Sequence, residues 1–201
     1  MLRVLVAEDM RILRDTLVAV INLEDDLEVV AEVASGDQIV AAALEHRPDV
    51  AVLDVDLPGV DGLTAAATLH DELPACRVLI LTALGRPAHL RQAVAAHVAG
   101  FMVKDTPSDQ LVAAVRRVGA GERVFDPALA VAALETATSP LSDREREVLK
   151  RHAEGASAVE IAAALHLSYG TVRNYLAAAV TKLGARNRVD AARIAREAGW
   201  L

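Results

Sequence analysis

The chain has 201 residues, 53% hydrophobic and 24% charged, with a formal net charge of −7. That length accommodates one large domain or two small ones with their own cores, and no apolar run approaches the roughly 20 residues of a membrane-spanning helix, so membrane insertion is not expected. The opening MLRVLVAEDM meets an acid at residue 8, too early for a secretory signal. A single cysteine, Cys76, excludes an internal disulfide, so a reducing, cytoplasmic setting is expected.

Taken in chain order, LRVLVAE (2–8) reads as a short apolar strand, and residues from Met10 to Leu23 carry helical spacing through Ile12, Leu13, Leu17, Val20 and Ile21. LEVVAEVA (27–34) is a second strand, and SGDQIVAAALEHR (35–47) a helix with Ser35 as its cap. VAVLDVD (50–56) is apolar on both faces, as a central parallel strand should be. A helix over Gly62–Leu73, a strand RVLILTA (77–83), a helix at 87–96, a strand GFMVKD (100–105) and a helix capped by Ser108 complete five strand–helix units. The pattern predicts an α/β domain over residues 1–120, a doubly wound five-stranded parallel sheet with helices on both faces. Residues 121–140 read as a linker with a short helix, the stretch 136–140 being its Thr/Ser/Pro end. From Leu141 onward there is no strand signal; four helices are expected over Ser142–Glu154, Ser157–Leu165, Ser168–Leu183 and Asn187–Ala198.

Charge divides in the same way. Residues 1–120 hold 10 Lys and Arg against 18 Asp and Glu, a net −8, whereas residues 121–201 hold 11 against 10, a net +1. Within 167–196 the bases are Arg173, Lys182, Arg186, Arg188, Arg193 and Arg196, with Asp190 the only acid. Such segregation suits a basic segment facing phosphate backbones, although a solvated helix face explains charge of this kind equally well.

Ligands of open parallel sheets bind at the carboxyl ends of the strands. Glu8 and Asp9 follow the first strand, Asp54 the third, Thr82 the fourth and Lys104 the fifth. Three carboxylates with one lysine carry too much negative charge to stand unpaired. A hard divalent cation such as Mg2+ meets that need with oxygen ligands. A carboxylate beside it can act as a nucleophile toward phosphorus, with a lysine and a hydroxyl stabilising the transferred group. Asp54, at the end of the most buried strand, is the best candidate.

These residues resemble the receiver domain of two-component response regulators. The likeness covers about residues 1–120 and includes Pro58 and Gly62 of the LPGVDG turn. It implies a flavodoxin-like fold, phosphorylation of Asp54, and Mg2+ held by Glu8, Asp9, Asp54 and the main chain of Asp56. It also implies a switch made of Thr82 and Phe101, with Lys104 on the phosphoryl group. Asp54-Val55-Asp56 is also similar to the DxD motif of haloacid-dehalogenase-type phosphatases, but that family places its acid pair downstream of the lysine, and here it lies upstream.

The second half, LSDREREVLKRHAEGASAVEIAAALHLSYGTVRNYLAAAVTKLGARNR, resembles the LuxR-type helix-turn-helix of the NarL/FixJ class over about residues 138–201, and its tail resembles regulators of the lipid-desaturase type. Ser142 and Glu145 form a capping box; Ile161, Leu165, Val172 and Leu176 would share a core, with Ala163 at a close helix approach. Thr171, Arg173, Asn174 and Ala177 would face outward at the start of a recognition helix and contact bases. Lys182, Arg186 and Arg188 would contact phosphates. Ala177 stands where many relatives carry a polar or basic side chain. In the family the last helix mediates dimerisation; Val189, Ala192, Ile194 and Ala195 fit that role or core packing equally. Together the two likenesses imply a transcription regulator and phosphorelay receiver instead of an enzyme, limited to self-phosphorylation and slow autodephosphorylation. Its partners would be a sensor histidine kinase, promoter DNA and, once phosphorylated, a second copy. The competing reading is a receiver joined to a helical module that binds only protein.

Overall fold

The computed structural model describes residues 1–135 and 138–201. They form two compact units, residues 1–85 with 89–130 and residues 86–88 with 131–201. Thr136 and Ala137 of the expected linker lie outside the described residues.

The first unit alternates β1 (Leu2–Ala7), α1 (Arg11–Asn22), β2 (Leu27–Val33), α2 (Ile39–His46), β3 (Val50–Asp54), α3 (Gly62–Glu72), β4 (Arg77–Thr82), α4 (Pro87–Ala95), β5 (Gly100–Val103) and α5 (Ser108–Gly119). All strand pairs are parallel, in the order β2-β1-β3-β4-β5 with a further strand beside β5. Five strands were expected and six are present. The sixth, β6 (Val124–Phe125), lies in the segment read as linker and pairs with Gly100 and Phe101 of β5. Two residues are too few for a period-2 pattern to register in the sequence. The short helix of that segment is α6 (Pro127–Glu135).

β3 is buried along its whole length, and the apolar side chains Val4, Val6, Val50, Val52, Leu79 and Leu81 pack against Leu17 and Ile21 of α1 and Leu111, Val112, Val115 and Val118 of α5. Burying each such side chain contributes about 1.5–3 kcal/mol. Two caps differ from expectation. Ser35 makes no side-chain cap; Gly36–Gln38 forms a 3-10 turn before α2, and the Gly36 amide donates to Pro58 O at 3.0 Å. Ser108 is the first residue of α5, behind the extended Pro107 at the cap position, and so its hydroxyl caps nothing.

The second unit contains α7 (Asp143–Ala153), α8 (Ala158–Leu165), α9 (Tyr169–Lys182) and α10 (Arg188–Glu197). Their starts are fixed by caps. Ser142 and Ser157 both form complete capping boxes, with Glu145 and Glu160, and Ser168 and Asn187 accept from Thr171 N and Asp190 N. α8 ends at His166, in the left-handed region at φ 54°. The core is Val148, Leu149, Ile161, Val172 and Leu176 with a group of alanines, Leu165 packing at its margin. Ala163, expected at a close helix approach, is exposed, and its neighbour Ala162 packs in the core instead. On α10, Ala192 and Ala195 are core, while Val189 is 75% exposed.

Candidate phosphoryl-acceptor site and helix-turn-helix face

Strand register assembles the acid site. Ala7 pairs with Leu53 and Thr82 with Val103, so the residues following β1, β4 and β5 reach the level of Asp54 at the end of β3. The Lys104 amide donates to Thr82 O at 2.7 Å and continues that alignment by one residue. Carboxylate oxygens of Glu8, Asp9 and Asp54 lie within 4.8 Å of one another. Glu8 and Asp54 are buried, with 1% and 4% exposure; Asp9 is exposed.

Lys104 Nζ sits 2.8 Å from Glu8 Oε2 and 2.9 Å from Asp54 Oδ2. Burial pushes the Glu8 carboxyl above its usual range; the hydrogen bond from Lys104 pulls the other way, and the Asp54 charge adds to the rise. For Lys104, burial alone would lower the ammonium, but its contacts with Glu8 and Asp54 outweigh burial and hold it above the ordinary lysine value. Glu8 is held further by the Met10 amide, which donates to Oε1 at 3.2 Å, and its carbonyl accepts from Arg14 Nη1 at 2.7 Å.

Asp54 Oδ1 is buried and has no hydrogen-bond partner among the described residues. A buried carboxylate oxygen without a partner costs on the order of 1–3 kcal/mol or more. With two further acids in reach, it is a donor set of hard oxygens that suits a divalent cation.

The turn after β3 completes the site. Asp56 is exposed. The Leu57 and Gly62 amides both donate to Val55 O, at 3.1 and 3.0 Å. A Cβ on Gly62 would lie 1.8 Å from Asp54 O, so only glycine lets α3 start this close to the acid. Asp61 caps α3, accepting from Leu63 N, Thr64 N and Thr64 Oγ1 at 3.1, 2.9 and 2.6 Å. Burial opposes the charge on Asp61, but these hydrogen bonds outweigh it and hold the carboxyl below its usual range. A cleft of about 910 Å³ opens beside Asp9 and Asp56, floored by Val55, Leu57 and Leu63. Thr82 is fully buried, its Oγ1 3.3 Å from both Leu84 N and Leu84 O. Phe101 is 2% exposed and already inward. Cys76 lies before β4, away from the carboxyl ends of the strands, and burial pushes its thiol up to about 12.

In the second unit Arg173, Asn174 and Ala177 are exposed on α9 and Thr171 is half-buried. Thr171 Oγ1 lies 2.8 Å from Ser168 Oγ. The Arg173 guanidinium stands over the ring of Tyr169, 5.9 Å from its centroid, a contact the sequence reading missed although i, i+4 spacing on a helix could have found it. Lys182 pairs with Glu145 of α7 at 2.8 Å, and Arg186 with Asp190 at 3.2 Å. Arg188 is exposed and makes no ion pair among the described residues.

An acid cluster with a lysine at the carboxyl ends of a doubly wound sheet, followed in the chain by a capped helix-turn-helix, defines a signal receiver coupled to a regulator of transcription. Comparison with known proteins agrees. Residues 4–116 match the response regulator receiver domain, and residues 139–195 match the bacterial regulatory proteins of the luxR family. The chain is 40% identical over 200 residues to the transcriptional regulatory protein DesR of Bacillus subtilis, covering 100% of this chain and 99% of that protein. It is 42% identical over 206 residues to the response regulator RamR of Streptomyces coelicolor, covering 100% and 98%. In fold it is similar to the solved two-component response regulator RcsB–DNA complex, with a TM-score of 0.72, 24% identity and 98% coverage of each chain. The chain belongs to the two-component response regulators with a LuxR-type helix-turn-helix and is a response regulator transcription factor.

Proposed function

We propose that Asp54 is the phosphoryl acceptor, loaded from the phosphohistidine of a sensor histidine kinase. The observation that carries this reading is the buried Asp54 Oδ1, which has no partner among the described residues while its sister oxygen is held by Lys104. In this reading Oδ1 attacks phosphorus, the P–N bond of the donor breaks, and the departing imidazole takes up a proton. Lys104 turns Asp54 toward the incoming group and then pairs with a phosphoryl oxygen. Glu8, Asp9, Asp54 and the main-chain oxygen of Asp56 would hold Mg2+, which supplies neutralisation of the equatorial oxygens. The exposed side chain of Asp56 is consistent with a main-chain role. The cleft beside Asp9 and Asp56 gives the donor its approach.

Thr82 would exchange its Leu84 contacts for the phosphoryl group, and the buried Phe101 would keep the inward position that this exchange requires. Phosphorylation would favour a homodimer, which places two α9 helices on promoter DNA about one helical turn apart. Thr171, Arg173, Asn174 and Ala177 would face bases, and Lys182, Arg186 and Arg188 phosphates. The protein would act in the cytoplasm, with its receiver at 1–120, its DNA-binding domain at 141–201 and residues 121–140 between them.

Acetyl phosphate with Mg2+ should label the wild type and leave Asp54→Ala unlabelled; equal labelling of both would sink the acceptor assignment. A gel shift over a salt series tests the second half. Binding insensitive to salt, or unaffected by Arg173→Ala together with Asn174→Ala, would count against the major-groove reading.

A further inference from the structure

The turn that carries Asp56 is pressed from a direction the acid site does not include. Gly36, in the 3-10 turn after β2, donates its amide to Pro58 O at 3.0 Å. A Cβ on Gly36 would lie 1.7 Å from Val60 O, 2.6 Å from Val60 C and 3.3 Å from Val60 Cα. All three are backbone atoms, so no rotamer change relieves the clash. Gly36 does not adopt a positive φ; space alone, and not backbone conformation, requires glycine there. The next residue, Asp37, extends the contact, since a Cβ on Gly59 would lie 2.5 Å from its Oδ1. The two turns therefore touch backbone to backbone across Pro58–Val60, two to four residues after Asp56.

We propose that Gly36 is a positioning residue for the cation site, setting where the Asp56 carbonyl stands. This rests on the reading of that carbonyl as a cation ligand. A side chain at position 36 forces Pro58–Val60 away by on the order of 1 Å, since real Cβ contacts do not fall under 3.0 Å. The Asp61 cap and the seating of Gly62 on Asp54 O resist displacement toward α3, which leaves the Leu57–Asp56 side of the turn to take up the shift. Mg2+ demands near-ideal octahedral geometry at about 2.0–2.1 Å, and loss of the groups that orient its ligands typically costs about 10–100-fold in affinity.

The test is Mg2+ titration of the full chain by calorimetry. Gly36→Ala should weaken binding about tenfold or more. Gly121→Ala introduces strain at φ +95° beside Arg77, away from the acids, and should bind within about twofold of wild type even where it lowers the melting temperature. Wild-type affinity in Gly36→Ala, or equal losses in both variants, overturns the proposal. Asp9→Asn separates the two readings: if it too binds Mg2+ like wild type, the acid cluster itself is not the cation site. A second measurement needs no variant. Coupling between sites is reciprocal, so saturating Mg2+ should slow hydrogen exchange at the Gly36 amide and leave the Gly121 amide, bonded to Val118 O, unchanged. Exchange at Gly36 that ignores Mg2+ counts against the idea even if Gly36→Ala fails to fold.

Discussion

Lys104 Nζ holds Asp54 Oδ2 at 2.9 Å and Glu8 Oε2 at 2.8 Å, bridging two buried carboxylates with one ammonium. The asymmetry matters, because removing the cation strands two acids whereas removing one acid leaves a cation that still has a partner. Lys104→Met should therefore destabilise the cation-free protein by about 3 kcal/mol, the lower end for broken buried pairs given its 15% exposure. Asp54→Asn should cost far less or raise stability. Thermal unfolding in EDTA checks both, and a larger loss for Asp54→Asn would contradict the bridge.

The two capping boxes predict independent losses. Ser142→Ala and Ser157→Ala should each lower the stability of the helix-turn-helix unit by about 1 kcal/mol. The sites belong to different helices, so the double variant should approach the sum. Denaturant titration followed by Trp200 fluorescence reads this directly.

Acid should weaken the same unit from one side only. Hydrogen bonds from the Arg186 amide and the Arg193 and Arg186 side chains hold Asp190 well below the ordinary carboxylate range. Burial opposes charge on Glu145, but its bonds from Lys182 and Ser142 outweigh that and lower it too. A depressed folded-state pKa gives stability that is complete above the unfolded-state value, about 4, and is lost as pH falls through the folded-state value. Unfolding midpoints should be flat in these two groups from neutral pH to about 5 and fall below about 4. Asp190→Asn should flatten part of that fall.

The basic residues should not behave alike. Lys182 ties α9 to α7 through Glu145, whereas Arg188 makes no ion pair among the described residues. Arg188→Ala should leave the melting temperature unchanged and reduce the salt slope of DNA binding by about 1. Lys182→Ala should lower both the melting temperature and the affinity. Equal melting temperatures for the two variants would show that the Glu145 pair contributes nothing.

Legibility followed the range of the interactions. The starts of α7 to α10 could be read in advance because Ser142, Ser157, Ser168 and Asn187, where the helices were expected to begin, each act within three residues of themselves. The gathering of Glu8, Asp9, Asp54 and Lys104 was readable because a parallel sheet forces strand ends to one side. What escaped depends on distant chain. Lys182 and Glu145 meet across 37 positions, Gly36 meets Val60 across two turns, and Ser35 lost its capping role once the turn beside it was bound to Pro58. β6 escaped because Val124 and Phe125 form a strand only when β5 is there to receive them.

That last pairing gives the sheet its outer border. Without Val124 and Phe125, the far side of Gly100 and Phe101 would offer unsatisfied peptide groups to any passing chain, the geometry from which runaway strand addition begins. A receiver cut at residue 120 should therefore self-associate on concentration, and one cut at residue 130 should stay dispersed. The short segment after α5 is a hem sewn onto the fabric, keeping it from catching on its own copies.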